Sequence, residues 1–182
     1  DGEQELVYID SVFDAASRTE GESELLEIRA ELASQGYLRQ NKKGGKTNKS
    51  LKPQPPIKYK STSGFEILVG RNNKQNDELT LKTARADDIW LHTQNIPGSH
   101  VIIRTEGKKA DKKALEEAAV IAAYNSKARE SAQVPVDYTL VKYVKKPSGA
   151  KPGMVIFTNN KTLFVKPDEA VSNALKINLK RS

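Results

Sequence analysis

Cysteine is absent from the chain, and with it every disulfide, thiolate metal site and cysteine nucleophile. No apolar run approaches the about 18 residues that a membrane-spanning helix needs, so no membrane insertion is expected. The first residues carry acids instead of a basic and then apolar pattern, so no secretory address is visible. Aromatics make up only 6% of 182 residues, with one Trp, and there are two His. That scarcity gives weight to where the rare residues stand.

Both His and the single Trp fall in two short alternating runs, Asp87-Asp88-Ile89-Trp90-Leu91-His92-Thr93 and Ser99-His100-Val101-Ile102-Ile103-Arg104. Period-two alternation reads as strands, and Pro97-Gly98 as the loop that joins them. Pairing His92 with His100 fixes the register. Ile89 then faces Ile103 and Leu91 faces Val101 on an apolar side, while Asp88 faces Arg104 and Trp90 faces Ile102 on the other. Two readings of that second side stand. Trp90, His92 and His100 stack on unpaired bases while Arg104 meets a phosphate or a guanine edge, or they are core of a sheet covered on both faces. Two His near Asp87 and Asp88 also suggest a metal or an acid–base pair, but the spacing matches no well-known metal motif and a third His is lacking. No catalysis and no cofactor are expected.

Acidic residues are equally uneven. Residues 1–38 hold ten acids and two bases, whereas residues 39–182 carry a balance of +15 within the net +7. A basic module on an acidic stem points to a polyanionic partner, with solubility as the plainer alternative. The stem (1–38) reads as helical, with Leu6, Ile9, Phe13 and Ala16 as a seam. A capping box at Thr19 and Glu22 follows, then Leu25, Ile28 and Leu32, and Gly36 ends the helix. Seams this short need a partner. They predict either a truncated arm of a longer helical hairpin or helices packed on the module. Residues 39–56 form a basic Pro/Gly linker that carries no acid.

From Ile57 to the end, residues 57–182, the pattern is α+β: a mainly antiparallel sheet with a long packing helix, preceded by the α-helical stem. Strands are expected at 57–60 and 65–70, and a short helix opens after Arg71-Asn72-Asn73 and runs through Leu81. Asn and Asp there are explained by capping, with Arg71 as a candidate phosphate contact. A long helix is expected from Asp111 to about Arg129. Strands follow at 136–145, 154–158 and 162–166, the last two joined by a tight turn at Asn159-Asn160-Lys161.

Cations gather at two further places. Lys108, Lys109, Lys112 and Lys113 crowd the start of the long helix, against the macrodipole, which favours a ligand over stability as their reason. Lys145, Lys146 and Lys151 lie in Lys145-Lys-Pro-Ser-Gly-Ala-Lys-Pro-Gly153, which lacks phosphate-loop spacing and reads as a strand connection with lysines open to a nucleic-acid backbone.

Several of these motifs, in this order, resemble one family: Val69-Gly-Arg-Asn-Asn73 with Gln75-Asn76-Asp77, Asp88-Ile-Trp-Leu-His92, Pro97-Gly-Ser-His-Val101 and Lys151-Pro-Gly153. They are similar to the NFACT-R domain that ends the RqcH, NEMF and fibronectin-binding protein A family. The likeness covers about residues 57–168, and the stem resembles the end of that family's coiled coil. The family's N-terminal domain and its tRNA-handling residues do not appear here. The resemblance implies an RNA-binding module in ribosome-associated quality control, with tRNA, large-subunit rRNA and the stalled large ribosomal subunit as partners and C-terminal alanine tailing as the process. It implies a cytoplasmic, ribosome-associated setting. The alternative is a cell-surface adhesin fragment that binds fibronectin.

Overall fold

In the computed structural model, which describes residues 2–38 and 54–178, the alternating segments form one antiparallel sheet of six strands. Most of the expected linker therefore lies outside the described residues. The strands are β1 (Ile57–Lys60), β2 (Glu66–Val69), β3 (Ile89–Thr93), β4 (Val101–Arg104), β5 (Val134–Leu140) and, after two short strands outside this sheet, β8 (Lys161–Val165), in the spatial order β1-β2-β4-β3-β5-β8. The expected hairpin register holds: Ile89 pairs with Ile103, Trp90 with Ile102 and Leu91 with Val101.

Each face of that pleat has its own cover. On one face Ile67, Val69, Leu91, Val101, Ile103, Val134 and Val136 are buried under the alanine-rich side of a helix, α4 (Lys112–Tyr124). Its Ala118, Ala119, Ala122 and Ala123 let the helix lie close to the strands. On the opposite face Leu68, Trp90 and Ile102 form a row across β2, β3 and β4. Above them lie Leu79, Val141, Val144 and Phe157. That cover comes from α3 (Asn73–Glu78), which continues as a π-helical turn over Leu79–Thr83, and from a small second sheet of β6 (Val144–Lys145) and β7 (Ile156–Phe157).

The second sheet corrects two expectations. The strand expected at 136–145 breaks after Leu140, where a 3₁₀ turn over Val141–Tyr143 redirects the chain. The runs around Asn159-Asn160 do not pair with each other: β7 pairs with β6, and β8 with β5. Asn159 does adopt a turn conformation, with φ 58°, but the turn passes the chain between sheets. The long helix also ends early, at Tyr124. Asn125 donates from Nδ2 to the Ile121 carbonyl (2.9 Å), and Arg129 folds back over the Tyr124 ring, 4.4 Å from its centroid. A last helix, α5 (Glu169–Leu175), capped by Asp168 accepting from the Val171 N–H (3.1 Å), was not expected.

The stem forms two helices, α1 (Gly2–Ser17) and α2 (Glu22–Ser34), and both pack on the module. The seam is in part as read: Ile28 is buried, and Ile9, Ala16 and Leu32 pack against the same cluster. Tyr8, Val12, Ala15 and Ile28 are buried with Met154 of the module, while Leu6 and Phe13 remain about 70% exposed (71% and 70%). No capping box forms, since Thr19 turns back to donate to the Ala16 carbonyl (3.0 Å) and Gly21 precedes α2 without a side-chain cap. Gly36, at φ 86°, does close the helix, with the Tyr37 N–H donating to the Leu32 carbonyl (3.0 Å).

Candidate nucleic-acid interface

The hairpin's polar side is built as expected and then covered. Asp88 and Arg104 form an ion pair of 3.0 Å. His92 and His100 lie with ring centroids 5.6 Å apart, and Trp90 stacks on His92 at 5.8 Å and meets His100 edge-on at 5.5 Å. Yet Trp90 is 1% exposed and His100 2%. The expected base-stacking face is the floor of a second core, because Phe157, 4.7 Å from Trp90, and the residues above it take the place of a ligand.

His100 has no capacity to spare. Its Nε2 lies 3.0 Å from the Gly153 carbonyl, which only accepts, so that nitrogen carries the proton. Its Nδ1 then accepts from the Thr80 hydroxyl at 2.8 Å. Burial, and secondarily the neighbouring His92, push its pKa down to about 3, so the ring is neutral. Burial also lowers the pKa of His92.

The motif Gly70-Arg71-Asn72-Asn73 with Gln75-Asn76-Asp77 works as a junction. Asn72 caps α3 by accepting from the Gln75 N–H (2.9 Å), as capping requires. Asn76 Oδ1 accepts from the His100 N–H (3.1 Å) and occupies the space a Cβ on Gly70 would need. Asp77 accepts from the Gly153 N–H and from Lys146 Nζ, each at 3.0 Å. The remaining side chains reach the stem: Arg71 pairs with Glu24, Asn72 donates to Glu27 (2.8 Å) and Asn73 to the Ser11 hydroxyl (2.9 Å). Gly153, at φ 79°, leaves no room for a Cβ beside Asn73. Lys151 lies over the rings of Tyr37 and Tyr8, at 5.2 and 5.7 Å from their centroids.

The twelve candidate residues thus divide. Trp90 and His100 are core, and His92 is half-buried beside them. Arg71 and Lys151 are held by the docked stem, through Glu24 and the rings of Tyr8 and Tyr37, and Lys146 by Asp77 and the Lys151 carbonyl of the module, a correction to their reading as open phosphate contacts. Arg104 is held through Nε by Asp88, whose oxygens also accept from the Thr105 and Arg85 N–H groups (both 2.9 Å), with its side chain 24% exposed. Lys108, Lys109, Lys112, Lys113 and Lys145 are exposed.

Four of those lysines and Arg104 share one end of the sheet. Arg104 and Lys108 line a groove with Lys60 at the end of β1, and Glu66 and Glu106 line it too. Its excess of positive charge is therefore small, and the cationic character of this end comes mainly from the lysines beyond it. Lys109, Lys112 and Lys113 continue from it into the start of α4. Two side-chain contacts fix this end: Ser63 donates to Asp111, the α4 cap (2.6 Å), and the Thr62 hydroxyl to Glu117 (2.7 Å). Lys60 was not among the candidates read from the sequence. Its signal was the outward phase of Ile57-Lys58-Tyr59-Lys60, in which Tyr59 is buried and both lysines are exposed. Among the described residues no cluster of three or more His, Cys, Asp or Glu is placed to hold a metal ion, and no helix is long and apolar enough to cross a membrane.

Residues 56–159 match the family described as the NFACT protein RNA binding domain. The chain belongs to that family. It is 48% identical over 168 residues to the Rqc2 homolog RqcH of Bacillus subtilis, across 91% of this chain and 29% of that one. The Rqc2 homolog RqcH of Streptococcus suis is 43% identical across 94% of this chain and 30% of its own length. The chain therefore spans less than a third of these relatives. The solved C-terminal part of the fibronectin/fibrinogen-binding protein of Streptococcus suis superposes with a TM-score of 0.87 at 41% identity, covering 96% of this chain and 68% of that one.

Proposed function

We propose that the chain is a non-catalytic RNA-binding module of a ribosome-associated quality-control factor. Its cationic end contacts tRNA or large-subunit rRNA while the factor engages a stalled large ribosomal subunit for C-terminal alanine tailing, in the cytoplasm. The observation that carries this reading is the group Lys108, Lys109, Lys112 and Lys113, exposed and placed against the helix dipole, beside Arg104 and Lys60. Such a surface gains affinity by neutralising phosphates and releasing counterions. Membership of an RNA-binding family and similarity to proteins named Rqc2 homolog support it.

The test is the affinity for tRNA and for an rRNA fragment at two salt concentrations. Binding that weakens steeply with salt is expected; salt-independent binding, or none, overturns the reading. A second reading, attachment to fibronectin, draws on the name of the solved Streptococcus suis protein. Its structural support is the outer edge of β8, which pairs with no further strand among the described residues and carries a 64% exposed Phe164. Strand addition there would respond far less to salt.

A further inference from the structure

The side of the second core nearest the stem is not filled. A cavity of about 380 Å³ lies between the β3–β4 end of the sheet, the Asn95–Gly98 loop, the Gly153–Val155 segment and α1. Its volume is in the range of small-ligand sites. We propose that it receives one unpaired nucleobase carrying an exocyclic amine, a site that rests on the RNA-binding reading above and adds base selectivity to it.

The chemistry of the lining selects the ligand. No Lys or Arg lines the cavity, whereas Asp10 and Asp137 do. A phosphate is therefore disfavoured inside, and a neutral group with hydrogen-bond donors is favoured. The walls are aromatic and apolar: Trp90, Phe157, Ile96 and Met154. They suit a flat heterocycle. Among the polar lining residues Asp137 has capacity left. The Trp90 indole N–H is itself buried without an acceptor, so the ring offers a ligand its carbon surface and no hydrogen bond. Asp137 is 3% exposed, and one carboxylate oxygen, Oδ1, accepts from Thr162 (2.6 Å), Gln94 (3.2 Å) and Asn160 (3.2 Å). Those three donors hold the carboxylate rigidly and all fall on one oxygen, so the other is the acceptor for an incoming amine.

Adenine and cytosine present an exocyclic amine that can donate to the free carboxylate oxygen of Asp137. Uracil has no amine, and its one donor on that edge, the ring N–H, is flanked by two carbonyls that the carboxylate repels, so it is disfavoured. Trp90 and Arg104 stand on the same strand pair. The His100 row and Arg104 are four residues apart along the chain, about 13 Å at strand rise. A single strand can thus place one base in the cavity and its neighbouring phosphates on the cationic end.

Because Trp90 is the only Trp of the chain, its fluorescence reports the cavity directly. Titrating the 182-residue chain with r(A)6, r(C)6 and r(U)6 should show quenching by the first two. Their affinity should exceed that of r(U)6 about tenfold, the discrimination one charge-assisted hydrogen bond supports. Asp137→Asn keeps an oxygen for the three donors and loses the charge. Val7→Phe, on a 56% exposed residue at the cavity wall, narrows the entrance without touching the sheet. Both variants should bring r(A)6 and r(C)6 to the level of r(U)6. If Asp137→Asn fails to fold, Val7→Phe alone decides.

Equal affinity for the three oligomers, a preference without quenching, or a preference that survives Val7→Phe overturns the base site. In the first of these results salt-sensitive binding persists, and the cationic surface stands without the cavity. Absence of binding to all three at low salt overturns both.

Discussion

Two groups of cations, similar in sequence, have opposite surroundings. Around the junction, Arg71 meets Glu24 and the Pro55 carbonyl, Lys146 meets Asp77 and the Lys151 carbonyl, and Lys151 lies over two tyrosine rings. At the start of α4, Lys108, Lys109, Lys112 and Lys113 stand exposed, and none of them forms a salt bridge among the described residues. Partially buried pairs lose stability when one member is removed, since the other keeps its desolvation cost. Exposed, unpaired lysines carry little stability and remain available to a ligand. One group holds the molecule together, and the other is what a polyanion meets.

Removing the stem gives the largest expected break in that contrast. Deleting residues 2–36 strips Arg71 of Glu24, Asn72 of Glu27 and Asn73 of Ser11, and uncovers Met154. A loss of about 3–5 kcal/mol is expected, on the order of 10 °C in the thermal midpoint. A shift under about 5 °C would mean that the stem is carried by the module without supporting it, contrary to the docking seen here.

Replacing Lys108, Lys109, Lys112 and Lys113 together with Ala sharpens the other half. RNA affinity at low salt should fall at least about 100-fold, and the salt slope should drop by about 3. The thermal midpoint should stay within about 2 °C. The matched control, Lys146→Ala, should do the reverse: a lower midpoint and nearly unchanged RNA affinity. If Lys146→Ala weakens RNA binding as much as the four-lysine variant, the division into holding and binding cations is wrong.

The sequence made the sheet legible where side chains alternate. Ile89, Leu91, Val101 and Ile103 specify a buried face whatever covers it, so the hairpin register followed from period two once His92 was set opposite His100. Alternation does not say whether the second face is also covered. Trp90 and His100 were read as a binding surface in preference to core, and the answer came from β6 and β7, two residues each and too short to carry a pattern. Docking of the stem was hidden for a related reason. An apolar seam was sought in Leu6 and Phe13, yet much of the contact is polar, through Arg71, Asn72 and Asn73, residues that local capping also explained. The cavity beside Trp90 was not legible at all, because it joins α1, a loop and two sheets far apart in the chain.

The smallest expected effect tests the buried histidine row by acid. His100 is held at about 3, below its ordinary 6.5, chiefly by burial, and the groups facing it are Thr80, the Gly153 carbonyl, His92 and Trp90. Above pH 6.5 neither the folded nor the unfolded chain protonates this ring, and its contribution is fully present. As pH falls below 6.5 the unfolded chain takes a proton that the fold refuses, so stability declines by up to about 1.4 kcal/mol per pH unit toward pH 3. Between pH 7 and 5 the loss should be roughly 1–2 kcal/mol, with His92, also lowered, adding in the same direction. Glu31 acts oppositely: burial raises its pKa, so the fold holds its proton more tightly and gains as pH falls into the carboxylate range. His100→Gln retains a hydrogen-bonding side chain that does not titrate, and its urea midpoints at pH 7 and 5 should lie closer together than those of the native chain. An unchanged difference would show that the acid sensitivity arises elsewhere, and that the histidine row is not what binds the small sheet to the large one as a neutral pair.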